Sequence, residues 1–192
     1  ESRKIYNLLA PDYHLRQVTA DELPSLRHFS LLELLGHLNI PKRRVPSLIS
    51  RGTALMRGNI TRLPLIPGID EVLKELRTRV KSFGVLTSNA PANVDLFLQA
   101  NGLRDLFDFI SSTSKLTGKA KHLKAIRKTF SLKESEMLYV GDEIRDIVAS
   151  KKAKIPVAGV TWGFNSPESL AAEAPTHLIH QVGELLTLVP AL

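Results

Sequence analysis

Apolar residues in the first third of the chain recur at helical spacing and lack the alternation typical of strands. Three apolar stripes can be traced: Ile5, Leu8 and Leu9; Leu31, Leu34, Leu35 and Leu38; Leu48, Ile49 and Leu55. Prolines separate the stripes, and a proline ends or kinks a helix. We therefore predict a small helical subdomain over residues 1–63, which ends where two further prolines stiffen the chain.

From residue 64 onwards, short apolar runs alternate with segments of helical periodicity. The short runs predict strands at residues 83–87, 106–110 (a weaker signal), 137–140, 156–161 and 177–179. The periodic segments predict helices at residues 69–80, from 91 to about 100, at 119–130, from about 142, from about 166 and at 183–188. This alternation predicts an α/β core over residues 64–192, with a Rossmann-like parallel sheet that has helices on both faces.

The composition allows a packed core and limits the chemistry. Hydrophobic residues make up 43% of the 192 residues and cysteine is absent, so the sequence offers neither disulfides nor thiolate metal sites. No apolar run is long enough for a membrane span, and we expect a cytoplasmic protein without a secretory signal. The net charge of +7 favours anionic partners. Because the basic clusters are scattered and lack interleaved aromatic residues, nucleic acid is the less favoured of these partners.

The segment with the most chemistry runs from Met137 to Asp146, where an apolar strand ends in a glycine and acids follow. If the next helix begins near Asp142, the carboxylates of Asp142 and Asp146 lie one turn apart on the same face. Two acids at the carboxyl edge of a sheet repel each other unless a cation or a lysine separates them. Mg2+ suits such oxygens. The alternative is that Asp142 caps the helix and Asp146 is a solvated surface acid.

Two further groups of residues suit phosphate. Thr87, Ser88 and Asn89 follow a predicted strand, and their side chains and main-chain N–H groups could cradle a phosphate, although the same residues also suit an ordinary helix cap. Lys119 stands at the start of a predicted helix, where its positive charge opposes the helix dipole. A lysine so placed often neutralises an anion, but the many basic residues nearby leave chance as an alternative.

Taken in order, a hydroxyl, a lysine and an acid pair after successive strands resemble the haloacid dehalogenase-like phosphohydrolases, in particular their phosphoglycolate phosphatase-like branch. Residues 84–89 are similar to the second motif of that family, Lys119 to the third, and residues 139–146 to the fourth. Residues 160–164 resemble the loop that follows the fourth motif in that branch. The resemblance covers essentially the whole chain, because the helical residues 1–63 fall where that branch inserts a helical cap.

The first motif of the family has no counterpart in this sequence. That motif, Asp-x-Asp-Gly-Thr after an apolar strand, supplies the nucleophile and the general acid. The first sixty residues contain only Asp12 and Asp21, and neither follows a predicted strand. We expect the nucleophile upstream of residue 1, on a strand between those that end at Thr87 and Val140. Without such a strand, both neighbours would have unpaired backbone groups in the interior.

The resemblance implies a role for each candidate residue. The upstream aspartate would form an aspartyl-phosphate, and Mg2+ would be held by two groups of the first motif and by Asp142. Asp146 would lie in the outer shell of the metal or pair with Lys119, and Glu143 is an alternative outer-shell ligand. Lys119 would neutralise the nucleophile and the phosphate, while Thr87 would donate a hydrogen bond to a phosphoryl oxygen.

Substrate choice is expected from the helical cap. Arg27, His28 and Ser30 lie in the turn before the leucine-rich helix and could face the site, whereas Trp162 and Phe164 either line the entrance or cover the sheet edge. Our hypothesis is a Mg2+-dependent phosphatase for a small, phosphoglycolate-like metabolite. The alternatives are a catalytically inactive relative that binds phosphate or a partner protein, and a phosphatase that processes nucleic-acid ends. The sequence makes no prediction of oligomeric state.

Overall fold

The structure is a computed structural model and describes residues 1–113 and 118–189. The helices in these ranges are α1 (Ser2–Leu9), α2 (Leu23–Leu26), α3 (Leu31–His37), α4 (Val45–Asn59), α5 (Ile69–Arg79), α6 (Pro91–Ala100), α7 (Lys119–Thr129), α8 (Ile144–Ala153) and α9 (Pro167–Ala172). The strands are β1 (Gly84–Thr87), β2 (Phe109–Ser112), β3 (Tyr139–Gly141), β4 (Val157–Val160) and β5 (His177–Ile179). None of the helices in the described part of the chain has the length and apolar character that a membrane span requires.

Helices α1 to α4 form a helical region with its own apolar cluster. The buried members of this cluster are Val18, Leu26, Leu35, Leu38, Ile40 and Val45. Helix α3 begins after Ser30, whose N–H donates to the Glu33 carboxylate (2.8 Å) while its hydroxyl accepts from the Glu33 N–H (3.4 Å). This reciprocal cap satisfies two main-chain donors and defines where the helix starts. The division of the chain into domains at residue 63 stays a prediction.

The strands form two parallel sheets in the described residues. In one sheet β1 pairs with β2, and in the other β4 lies between β3 and β5. Strands β1 and β3 share no ladder within these residues, although Leu86 of β1 packs on the apolar cluster that contains Tyr139 of β3. The two sheets therefore share one core, and the edges of β1 and β3 are those between which the sequence analysis expects a further strand.

Helices cover both faces of the three-stranded sheet. Val157 of β4 belongs to a buried cluster with Leu123 of α7 and Ile147 of α8. The next residue, Ala158, belongs to a different cluster with Val72 of α5. Because successive side chains of a strand point to opposite faces, these two clusters lie on opposite sides of the sheet. The predicted α/β class, with parallel strands between helical layers, is confirmed.

Several elements differ from the sequence expectations in their bounds or type. Helix α8 begins at Ile144, with Glu143 as its N-cap residue, so Asp142 lies in the preceding loop and not at the helix start. The weak strand expected at 106–110 lies further along the chain, because residues 104–106 form a 3-10 turn before β2. The final helix is a 3-10 helix over Val182–Leu188.

Replacement of Leu123 by alanine tests the core below α7 and α8. Leu123 is 0% exposed, so Leu123→Ala should lower the free energy of unfolding by about 2–5 kcal/mol, through lost burial and the cavity left behind. Chemical denaturation followed by circular dichroism measures the change. The control Leu32→Ala removes the same atoms from a side chain that is 67% exposed, and it should cost less than about 0.5 kcal/mol. Equal losses would contradict the proposed core.

Candidate active site

A buried ion pair joins the first turns of α7 and α8. The Lys119 ammonium contacts Oδ1 of Asp146, and the two side chains are only 8% and 2% exposed. Because a buried charge is costly unless it is paired, each of these ions depends on the other. The sequence alternative in which Asp146 is a solvated surface acid is therefore wrong, whereas the expected pairing with Lys119 is present.

Asp146 has two further partners. The Tyr139 hydroxyl donates to Oδ1 (3.3 Å), and the N–H of Glu143 donates to Oδ2 (3.3 Å). The pKa of Tyr139 is raised, first by burial and then by the negative charge of Asp146. Gly141 permits this arrangement, since a Cβ there would lie 2.6 Å from the Cβ of Asp146. The strand can therefore approach the acid only with glycine at this position.

Asp142 lies in the loop between β3 and α8. Its Oδ2 accepts a hydrogen bond from the N–H of Phe164 (2.7 Å), and its carbonyl accepts one from the N–H of Asn165 (3.0 Å). The loop after β4 can come this close because residue 163 is a glycine, where a Cβ would lie 2.1 Å from the Cβ of Asp142. Its Oδ1 accepts no hydrogen bond from the described residues, which leaves this oxygen available to a cation.

Three acids between the end of β3 and the first turn of α8 offer oxygens to a metal, but they are not equivalent. Carboxylate oxygens of Asp142, Glu143 and Asp146 lie within 4.8 Å of one another. Arg145 engages both oxygens of Glu143, at 2.5 and 2.6 Å, and Lys119 engages Asp146. Asp142 is thus the member of the group with one oxygen, Oδ1, that has no partner among the described residues, and we call it the uncommitted oxygen. Hard oxygen donors at this spacing suit Mg2+, which is commonly held by one or two carboxylates with waters and a phosphate.

The segment after β1 is an ordered turn. The hydroxyl of Thr87 accepts the N–H of Asn89 (3.0 Å), and it can still donate its own proton. The carboxamide oxygen of Asn89 accepts from the N–H of Ala90 (2.8 Å) and from the side chain of Asn93 (3.1 Å). Ala90 is the N-cap residue of α6 and provides no side-chain cap. The hydroxyl of Thr87 is thus held in the turn and does not cap the helix.

Arg145 connects this turn with the acidic loop. Its guanidinium donates to the hydroxyl of Ser88 (3.2 Å) while it holds Glu143. Since β1 and β3 share no ladder in the described residues, this contact is a direct polar link between the ends of the two sheets. Arg145 and Ser88 also line a cleft of about 650 Å³ between the helical region and the α/β part of the chain.

The three residues expected to select the substrate have partners within the protein. Arg27 donates to four carbonyls of one loop, those of residues 161, 163, 164 and 165, at 3.0 to 3.2 Å. A ring nitrogen of His28 lies 3.0 Å from the hydroxyl of Ser166, and Ser30 caps α3. A role in specificity stays a prediction for all three. Trp162 packs on the cluster beneath the sheet, and Phe164 lines the cleft.

Two residues with many contacts at the site were not identified from the sequence. Asn165 is 1% exposed and contacts both the acidic loop and the helical region. Arg145 holds Glu143 and Ser88. An asparagine before Ser166 and Pro167 is typical of a helix start, so its local sequence does not indicate distant partners. Arg145 lies between Glu143 and Asp146 in the sequence, and this position gave no signal beyond surface charge.

The chain belongs to the haloacid dehalogenase-like hydrolase family, whose model matches residues 2–160. This match confirms the resemblance drawn from the second, third and fourth motifs. The prediction that the chain comes from an enzyme of this hydrolase family is confirmed with it.

Individual relatives agree with this assignment. The chain is 30% identical over 188 residues to a phosphoglycolate phosphatase of Synechococcus elongatus, and the alignment covers 98% of this chain and 89% of that protein. It is 27% identical over 122 residues to pyrophosphatase PpaX of Bacillus cereus, across 62% of this chain and 56% of that protein. The crystal structure of a predicted phosphatase from Clostridium acetobutylicum shares the fold, with a TM-score of 0.81, 20% identity, and coverage of 97% of this chain and 88% of that one.

Removal of either member of the buried ion pair should destabilise the fold. Asp146→Asn is expected to lower the free energy of unfolding by about 3–5 kcal/mol, because it leaves the Lys119 ammonium without a counter-ion, and Lys119→Met should cost a similar amount. The double variant should lose clearly less than the sum, since neither charge is then left unpaired. Denaturation of the four proteins completes the cycle. Additive losses would contradict a direct coupling.

Tyr139 should make the fold sensitive to high pH. Since its pKa is raised in the folded protein, the stability that this group contributes is complete below the ordinary tyrosine pKa of about 10 and declines as the pH rises above it. The variant Tyr139→Phe lacks the group, so its stability should fall less between about pH 8 and about pH 11. Denaturation curves at both pH values measure the difference. Parallel declines in the two proteins would show that Tyr139 ionises normally.

Proposed function

We propose that the protein to which this chain belongs is a Mg2+-dependent phosphatase that hydrolyses a small phosphorylated metabolite. The observation that carries the proposal is the pairing of a buried Lys119–Asp146 ion pair with an uncommitted oxygen of Asp142 at the carboxyl ends of parallel strands. Phosphoryl transfer asks a protein mainly to position its reactants and to neutralise their charge. Membership in a hydrolase family and the phosphatases among its relatives support the same function.

In this proposal Asp142 is the residue of the described chain that binds the metal. The hydrogen bond from Phe164 to Oδ2 holds the carboxylate so that Oδ1 serves as the ligand. When bound, Mg2+ offsets the negative charge of the phosphoryl oxygens and helps to orient them. Asp146 supports the loop without binding the ion, because its oxygens are engaged by Lys119, Tyr139 and the N–H of Glu143.

The other candidate residues act on the phosphoryl group. The Lys119 ammonium, held by Asp146, neutralises the phosphate and the attacking carboxylate. The Thr87 hydroxyl donates its proton to a phosphoryl oxygen, and its own oxygen stays fixed by the N–H of Asn89. Ser88 and Asn89 belong to the same turn and line the cleft, where they contribute further donors for the phosphate.

The nucleophile belongs, in this proposal, to a strand that enters between β1 and β3. In the described residues β1 pairs only with β2, and β3 pairs only with β4, so each has one edge with unpaired main-chain groups. A parallel strand in this position would end beside Thr87 and Asp142. Its aspartate would attack phosphorus to form an aspartyl-phosphate as the bond from phosphorus to the leaving oxygen breaks, and the general acid of the same motif would protonate the departing alcohol. Water would then hydrolyse the acyl phosphate, which releases inorganic phosphate and restores the aspartate.

The metal assignment is tested by Asp142→Asn in the full-length gene product. Hydrolysis of p-nitrophenyl phosphate should fall by roughly 100-fold or more, and its stimulation by Mg2+ should be lost, because several kcal/mol of charge stabilisation depend on the ion. Asp105→Asn is a matched control, since it makes the same change to an exposed acid in the 3-10 turn Arg104–Leu106, outside the site. Circular dichroism verifies that both variants fold.

The outcomes separate the alternatives. Retention of Mg2+-stimulated turnover by Asp142→Asn would refute Asp142 as the ligand. Absence of hydrolysis by the wild-type protein on p-nitrophenyl phosphate and on a panel of phosphorylated metabolites, phosphoglycolate included, would favour the inactive relative considered in the sequence analysis.

A further inference from the structure

We infer that Asn165 is a positioning residue that couples residues 142–144, here called the metal-binding loop, to the helical region. This inference rests on the proposed function. Asn165 follows β4 in sequence and is 1% exposed. Its contacts extend in two directions, towards residues 142–144 on one side and towards residues 27–29 on the other. No step of the proposed reaction uses Asn165 directly, so its contacts need a separate explanation.

The carboxamide of Asn165 uses both of its donor hydrogens and its acceptor. Nδ2 donates to the carbonyls of Arg27 and Phe29, both at 2.9 Å. Oδ1 accepts the N–H of Ile144 at 2.9 Å. That N–H belongs to the first turn of α8, where main-chain donors have no partner within the helix. The main-chain N–H of Asn165 donates to the carbonyl of Asp142 at 3.0 Å, so one residue holds both ends of the metal-binding loop.

Arg27 strengthens the same connection from the other side. Its guanidinium binds four carbonyls of residues 161–165, among them that of Asn165 at 3.2 Å. Within this loop, the N–H of Phe164 orients Oδ2 of Asp142. We call Arg27 and Asn165 together the latch. The latch gives a continuous path of hydrogen bonds from the helical region to the carboxylate that binds the metal.

The chemistry of the latch requires an amide at position 165. Only a group with two donors and one acceptor satisfies two carbonyls and one N–H at once. Alanine would remove the side-chain partner of the Phe29 carbonyl and of the Ile144 N–H, and the Arg27 carbonyl would keep only the main-chain N–H of Ser166 (2.9 Å). Loss of these hydrogen bonds would allow the loop of residues 161–165 to move relative to Asp142. Because coupling between two sites is reciprocal, Mg2+ bound at Asp142 should in turn stabilise the docked segment 27–29.

The experiment measures metal binding and local protection in the full-length protein, independently of turnover. Calorimetric titration with Mg2+ should show binding about 10-fold weaker in Asn165→Ala, as expected when a residue that orients a metal ligand is lost. Hydrogen exchange should show that Mg2+ protects residues 27–30 and 161–166 in the wild type and protects them much less in the variant. Arg27→Lys, a milder change that keeps the charge, should shift both readouts in the same direction.

A matched control lies at the same contact. The Ser169 hydroxyl donates to the carbonyl of His28 at 3.0 Å, so Ser169→Ala removes a hydrogen bond between α9 and the segment 27–29. The other hydrogen-bond partner of the Ser169 side chain in the described chain is Ser166, which lies outside residues 142–144. The variant should leave Mg2+ affinity within about 2-fold of the wild type, since Ser169 has no link to the ligand. Equal Mg2+ affinity in the wild type, Asn165→Ala and Arg27→Lys would overturn the inference. Failure of the wild type to bind Mg2+ would overturn the metal site, and this inference with it.

Discussion

The ion pair between Lys119 and Asp146 is the constraint on which the site depends. Two charges that are almost fully removed from water can remain there only as partners. Lys119 is the first residue of α7, where the helix dipole disfavours a cation, whereas Asp146 lies in the first turn of α8, where an anion is favoured. The pair therefore ties the amino-terminal ends of two neighbouring helices together. The loop that carries Asp142 leads directly into α8, whose first turn contributes Asp146 to the pair.

Close backbone approaches complete the arrangement around this pair. Gly141 lets β3 pass against Asp146, and Gly163 lets the loop after β4 reach Asp142. As a result, one oxygen of Asp142 is bound by a main-chain N–H while the other accepts no hydrogen bond from the described chain. The neighbouring carboxylates are neutralised by a lysine and an arginine. Asp142 is thus distinguished from Glu143 and Asp146 by the partners that each of them has, since all three lie close together where β3 leads into α8.

The helical region contacts the loop after β4 mainly through hydrogen bonds to main-chain carbonyls. The sequence suggested Arg27 for substrate selection, but its guanidinium donates to carbonyls of the loop after β4. In the opposite direction, the side chain of Asn165 donates to the carbonyl of Arg27. These hydrogen bonds connect segments far apart in the chain to one carboxylate. They also link the cleft to the acidic loop, because Phe164 lines the cleft and donates to Asp142.

The sequence by itself determined the α/β class, the parallel strands and the order of the chemical groups. Apolar periodicity is a local property, and so is a polar residue at the end of a strand. Thr87, Lys119 and Asp142 were singled out as candidates in this way. The tertiary structure alone decided which acid keeps an oxygen without a hydrogen bond from the described residues, and that Asn165 contacts both the acidic loop and the helical region. The carboxamide of Asn165 meets the carbonyl of Arg27 across 138 positions of the chain, and no local pattern records such a contact. Hydrogen-bond partners at that separation are set by packing, which places distant segments together only after the core has formed.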